Sequence, residues 1–171
     1  MTIRNKCLNM ANTTSMASAE DIMQTDMLTA QASEKVSSVA YNMAINNVGA
    51  TLVVENKKLV GIFSERDLLR RVIAEQRDLD ETTVEEVSTP MPRVVKKDTP
   101  FKECLDILKE ANFRHLPVVN DEHEPLGIIS SRDFFRQVTR ALETMISEKE
   151  HQEKIASGQI PYEKLADDLI Q

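Results

Sequence analysis

Two short stretches of this chain carry the same potential chemistry. One is Gly61, Ile62, Phe63, Ser64, Glu65, Arg66, Asp67, and the other is Gly127, Ile128, Ile129, Ser130, Ser131, Arg132, Asp133. Each reads glycine, two apolar residues, serine, any residue, arginine, aspartate. The serine ends a strand and opens a helix, with the aspartate three residues on. That spacing has two uses. In one, hydroxyl and carboxylate form a capping box that satisfies free helix amides. In the other, the helix start faces a phosphate. Serine then donates to a phosphate oxygen, arginine supplies charge, and aspartate accepts two hydrogen bonds from a ribose diol. Capping requires neither the arginine nor the glycine, yet both recur, and the recurrence favours a ligand site.

The elements that position these residues are themselves repeated. GIFSERDLL (residues 61–69) returns as GIISSRDFF (127–135), 66 positions on. The strand-like TLVV (51–54) returns as LPVV (116–119), 65 positions on. The one-residue difference falls in the polar loops ENKK (55–58) and NDEHE (120–124), where insertions are tolerated. Ahead of each strand lies a helical pattern with four apolar residues on one face. These are Val36, Val39, Ala40 and Met43 in the first copy, and Phe101, Cys104, Leu105 and Leu108 in the second. Thr99 reads as an N-cap with Pro100 at the first helical position. Short extended stretches, 27–29 and 93–96, precede the helices.

The spacing therefore predicts an α+β (α/β-like) fold of two βαββα repeats. A unit of about 55–60 residues has a marginal core alone, so the copies should pack as one module about a pseudo-twofold axis. The expected divisions are a flexible leader over 1–18, repeats over 19–78 and 79–140, and a helical tail over 141–171. That tail is too short for a catalytic domain.

The chain resembles the cystathionine-β-synthase (CBS) domain pair, or Bateman module. The likeness rests on DIM (21–23), VGATLVVE (48–55), RHLPVVN (114–120) and the two GIxSxRD motifs, and covers roughly residues 19–140. The stretch KLVGIFSERDLLRRVI (58–73) is similar to stand-alone bacterial and organellar CBS-pair proteins with no attached enzyme. The resemblance implies an adenosine ligand in the clefts between repeats: AMP, ADP, ATP, S-adenosylmethionine or NAD(H). Carried over, Asp67 and Asp133 hold ribose, and Ser64, Arg66, Ser130 and Arg132 meet phosphate. The base lies against main chain near Met27, Leu28, Pro92 and Arg93. It also implies a homodimer stacked through helices, and a protein effector that reads the signal. The apolar second helices, with Leu68, Leu69, Val72, Ile73, Phe134, Phe135 and Val138, fit such stacking.

The copies differ where the second has Arg114 and His115 and the first has Gly49 and Ala50. In the family that pair often faces phosphate. Two potential cations predict a preference for polyphosphate at the second copy's site.

Composition narrows the alternatives. Twenty-one basic and 28 acidic residues leave a net charge of -7, which argues against nucleic acid as a partner. No apolar run reaches the roughly 20 residues of a membrane span. Cys7 and Cys104 cannot build a disulfide framework, and Cys104 takes a core position. No cysteine, histidine or carboxylate cluster has metal-ligand spacing. The first eighteen residues lack an apolar signal region, so a cytoplasmic protein is expected. No catalytic residues and no required cofactor are assigned, so the expectation is a sensor and not an enzyme. A ligand-independent interaction scaffold is the rival reading.

Overall fold

Strand β2 (Ala50–Glu55) is buried from Ala50 through Val54, as a strand covered on both faces must be. Its neighbour β3 (Lys58–Ser64) buries alternate residues, Leu59, Gly61 and Phe63. Asn56 and Lys57 between them both have positive φ (49° and 68°). That pair makes the two-residue turn whose twist matches a right-twisted hairpin. The computed structural model describes residues 18–110 and 114–157. The expected leader, apart from Ser18, and the end of the expected tail lie outside those residues.

In the first repeat, β1 (Thr29–Gln31) runs parallel to β2, and helix α2 (Val36–Ile45) crosses between them. Val36, Val39 and Met43 of α2 are buried, as the spacing predicts. They pack with Val53, Phe63, Val72, Val84 and Val87. After β3 comes one short turn of helix, α3 (Glu65–Asp67), that opens into a π-helical segment, Leu68–Ile73. In the second repeat, α5 (Phe101–Glu110) precedes the antiparallel pair β5 (His115–Val119) and β6 (Pro125–Ser130). Cys104 is fully buried there, and that burial pushes its thiol up to about 11. The expected cap differs. Pro100 stands one place ahead of α5, and the Thr99 hydroxyl accepts instead from Lys96 N at 3.1 Å.

The extended stretches ahead of the helices also shift. The first strand covers Thr29–Gln31, two residues later than expected, and of residues 93–96 only Val95 pairs, in parallel with Val118. Both sheets are completed by exchange. Strand β4 (Thr89–Pro90), from the start of the second repeat, pairs with β3 of the first. Gln24, from the start of the first repeat, pairs with Ile128 on β6 of the second. The short helices ahead of these segments are swapped in the same way. Helix α1 (Ala19–Ile22) bonds the second repeat through Ala19 N to Thr99 O and Glu20 N to Lys97 O. Helix α4 (Val84–Val87) bonds the first through Val84 N to Glu34 O and Glu85 N to Ala32 O. Leu52, Leu59 and Val119 form a buried cluster shared by the two repeats.

The motif glycines serve this exchange. A Cβ on Gly61 would stand 2.8 Å from Ser88 Oγ, and one on Gly127 would stand 2.8 Å from Met23 Sδ and 2.9 Å from Gln24 O. Recurrence of glycine in the two motifs thus has a packing cause, contrary to the sequence argument that counted it toward a ligand.

The chain divides into two compact units, Met1–Asp133 and Phe134–Gln171. The second consists, where described, of helix α6 (Ser131–Ala156) from Phe134 onward, ending at Ser157. Along it Phe135, Val138, Leu142, Met145 and Ile146 are exposed. No helix among the described residues is long and apolar enough to cross a membrane.

Candidate functional site

Both uses foreseen for Ser-x-x-Asp bear on the site, and capping is the one the geometry displays. Ser64 Oγ donates to Asp67 Oδ2 at 2.6 Å, Ser64 N donates to the same oxygen at 3.0 Å, and Asp67 N returns a bond to Ser64 Oγ. In the second copy Ser130 Oγ and N donate to Asp133 Oδ2 at 2.6 and 2.7 Å. The first helical amides are also taken, Glu65 N by Gly49 O and Ser131 N by Arg114 O. Each serine therefore holds its aspartate, and its hydroxyl proton is turned to that carboxylate. The first motif presents its second carboxylate oxygen, Asp67 Oδ1, to a cleft, whereas Asp133 Oδ1 of the second accepts from Gln24 Nε2 at 3.1 Å.

Around Asp67 the chain forms a cleft of about 530 Å³. Ser64, Arg66 and Asp67 line it from the first repeat, Thr89, Pro92 and Arg93 from the crossing segment, and Arg114 and His115 from the second repeat. Sequence reasoning placed Arg114 and His115 with the second copy's motif. The structure places them in the cleft of the first, because β5 of one repeat faces the motif of the other. Of the four residues expected near the base, Pro92 and Arg93 are on this cleft. Met27 packs against the cluster shared by the repeats, Leu28 packs against the first repeat's core, and Leu28 O accepts from Leu52 N and Thr51 Oγ1. Ser130, Arg132 and Asp133 belong to the symmetry-related position.

Two cleft residues escaped the sequence reading. Arg70 and Arg71 lie four positions beyond Arg66 and Asp67, so a helical turn carries all four to one side. Arg71 Nη1 donates to Val87 O and Ser88 O, and its Nε stands 3.6 Å from Asp67 Oδ1. The i, i+4 spacing was the available signal. The cleft thus gathers Arg66, Arg70, Arg71, Arg93 and Arg114 against Asp67, in a chain whose overall charge is negative.

His115 is not a further cation at neutral pH. Burial, and then the Arg114 guanidinium, hold its imidazole below the ordinary value of 6.5, while Glu65 and Asp133 pull the other way. On unfolding it returns to the ordinary value, so the unfolded chain takes up the proton first as pH falls. The stability that neutral His115 contributes is full above about 6.5 and is lost as pH drops toward its folded value. The melting temperature should therefore decline from pH 7.5 to 5.5, and His115→Gln should flatten that decline. An unchanged slope in the variant would remove His115 from this role.

Among the described residues no group of three or more histidine, cysteine and carboxylate side chains could hold a metal ion. The cleft has the composition of a site for a small anion-bearing molecule with hydroxyls: guanidinium groups for phosphate, a carboxylate for a diol, and an apolar edge from Ile62, Met91 and Pro92.

Known proteins are similar to this chain in sequence and in fold. A CBS domain-containing protein of Arabidopsis thaliana is 36% identical over 105 residues, which is 61% of this chain and 19% of that protein. The chain thus spans about a fifth of that relative's length. A solved protein with CBS domains from Burkholderia ambifaria is 32% identical, with a TM-score of 0.62 over 67% of this chain and 83% of that one. CBSX2, solved in complex with AMP, shares the fold at 23% identity, with a TM-score of 0.63 over 72% and 97% of the two chains. The CBS domain model matches residues 19–74 and 84–149, the two repeats with the short helices that precede them, and on that match the chain belongs to the CBS domain family.

Proposed function

We propose that this protein is a regulatory sensor that binds an adenine nucleotide in the arginine-lined cleft and passes its occupancy to a protein partner, and that it is not an enzyme. The observation that carries this reading is the convergence of five arginines with Asp67 in one cleft. Guanidinium groups bind phosphate oxygens in bidentate fashion, and the four besides Arg71, which is held by Val87 O and Ser88 O, match a ligand with two or three phosphates better than one with none. ADP or ATP is therefore favoured over S-adenosylmethionine, which carries no phosphate. Asp67 Oδ1 receives the ribose hydroxyls, Arg66, Arg70, Arg93 and Arg114 receive phosphate, and Ser64 fixes Asp67. The base lies by Pro92 and Arg93. The fold shared with CBSX2, solved in complex with AMP, supports an adenine nucleotide as the ligand.

The alternative of a scaffold that docks partners without any ligand does not account for the clustered arginines, which repel one another when nothing lies between them. A homodimer belongs to the same proposal. Leu69 and Ile73 are 63% and 52% exposed, and Phe135 on α6 is 74% exposed, apolar surface that a second copy would cover. Leu68 and Val72, by contrast, pack inside the first repeat. A cytoplasmic setting, where adenine nucleotides abound, fits the reading.

A thermal-shift series tests it. A ligand at 100 times its Kd adds about 2.7 kcal/mol, or roughly 5–10 °C for a chain of this size. ADP or ATP should give that shift, and a flat response to every adenine nucleotide would leave the scaffold in front.

A further inference from the structure

We propose that Gln24 closes the second cleft, so that each chain takes one nucleotide where its repeat symmetry would allow two. The proposal rests on the nucleotide reading above. It concerns how many of the two related positions can accept a ribose.

The exchange of segments makes Gln24 the counterpart of Thr89. Thr89 pairs with Ile62 beside the first motif, and Gln24 pairs with Ile128 beside the second. Thr89 is short and forms part of the cleft wall. Gln24 is longer, and its Nε2 donates to Asp133 Oδ1 at 3.1 Å. Since Ser130 occupies Oδ2, both oxygens of Asp133 already hold donors from the protein. Asp133 is only 6% exposed. A ribose diol arriving there would have to displace the glutamine amide.

Asp67 is in a different state. Its Oδ2 is bound by Ser64 in the same way, but among the described residues Oδ1 meets only the Arg71 guanidinium at 3.6 Å, beyond hydrogen-bond distance. That oxygen stays available in the open cleft. Nor can Gln24 withdraw with its backbone. Gln24 N donates to Ile128 O at 2.9 Å, and Ile128 N donates to Gln24 O at 3.0 Å. The lock is therefore a side chain on a fixed base. Charge acts in the same direction, since Arg93 and Arg114 have Leu28 and Gly49 as their sequence counterparts. An opened second cleft would hold phosphate less strongly than the first.

Calorimetric titration with AMP at millimolar concentration measures the stoichiometry directly. The parent chain should bind one AMP. Gln24→Thr, which copies the first cleft, should add a second and weaker event, bringing the stoichiometry to two. Gln24→Ala removes the amide without adding a hydroxyl and should do the same. Two AMP per parent chain would overturn the proposal, as would one per chain in both folded variants. No AMP on any of the three proteins would overturn the nucleotide reading itself, and this proposal with it.

Discussion

Asp67→Ala should lower the affinity for ADP or ATP about 100-fold. In the proposed function the carboxylate accepts both hydroxyls of a ribose diol, and two charge-assisted hydrogen bonds contribute about 1.5 kcal/mol each at the low end of their range. Three kilocalories correspond to roughly two decades in Kd. The same substitution removes a capping box at α3, which costs about 1 kcal/mol of stability. Those two effects must be separated, and inorganic pyrophosphate does so. Loss of Asp67 takes one negative charge out of a cleft lined by five arginines, so pyrophosphate should bind the variant as well as the parent or better. A variant that loses both ligands equally would have lost its cleft, and a variant that keeps ADP would have its ribose site elsewhere.

Gly127→Ala should destabilise the fold by about 1–3 kcal/mol, the usual cost of forcing extra volume into a packed site. The new Cβ would lie 2.9 Å from Gln24 O, a main-chain atom held by the bonds between Gln24 and Ile128. It cannot be relieved without loosening the segment that completes the second sheet. The melting temperature should fall by roughly 3–10 °C. Gly61→Ala should fall less, because its closest contact is Ser88 Oγ, a side-chain atom that can move, and its main-chain contact, Thr89 O, is at 3.3 Å. Gly49→Ala should be close to neutral, since its nearest contact is the flexible Glu65 carboxylate at 3.4 Å. Differential scanning calorimetry of the three variants would rank them. Equal stability of Gly127→Ala and Gly49→Ala would contradict the close approach of the crossing segment.

The repeat, the order of elements and the buried faces of α2 and α5 were legible in the sequence because each is a local pattern. Apolar spacing along Val36, Val39 and Met43 needs no knowledge of what covers it. The pairing of each motif with residues of the other repeat was not legible in that way. Arg114 is adjacent in sequence to the second motif's strand, and chain proximity suggested it served the second site. The fold instead brings it to the cleft lined by Ser64 and Asp67, which stand 50 and 47 positions away in the sequence. A trace of the exchange does exist in the sequence. Ser18-x-x-Asp21 and Thr83-x-x-Glu86 are capping boxes one repeat apart, each opening a short helix that docks on the other copy. Arg70 and Arg71 were hidden for another reason. They stand among Leu68, Leu69, Val72 and Ile73, so the helix read as an apolar surface, and its charged side went unweighed.

Recognition of phosphate as well as adenosine by this cleft is tested most directly by one titration series. Adenosine, AMP, ADP and ATP are titrated into the parent protein and Arg114→Ala at about 0.15 M salt, where exposed charges are already screened. In the parent, affinity should rise from adenosine to ADP by about tenfold per phosphate, as each charge-assisted contact contributes about 1.5 kcal/mol. In Arg114→Ala the rise should flatten while adenosine itself is unchanged, because adenosine has no phosphate for the guanidinium to hold. Equal affinity of the parent for adenosine and ATP, or no binding of either, would contradict the account.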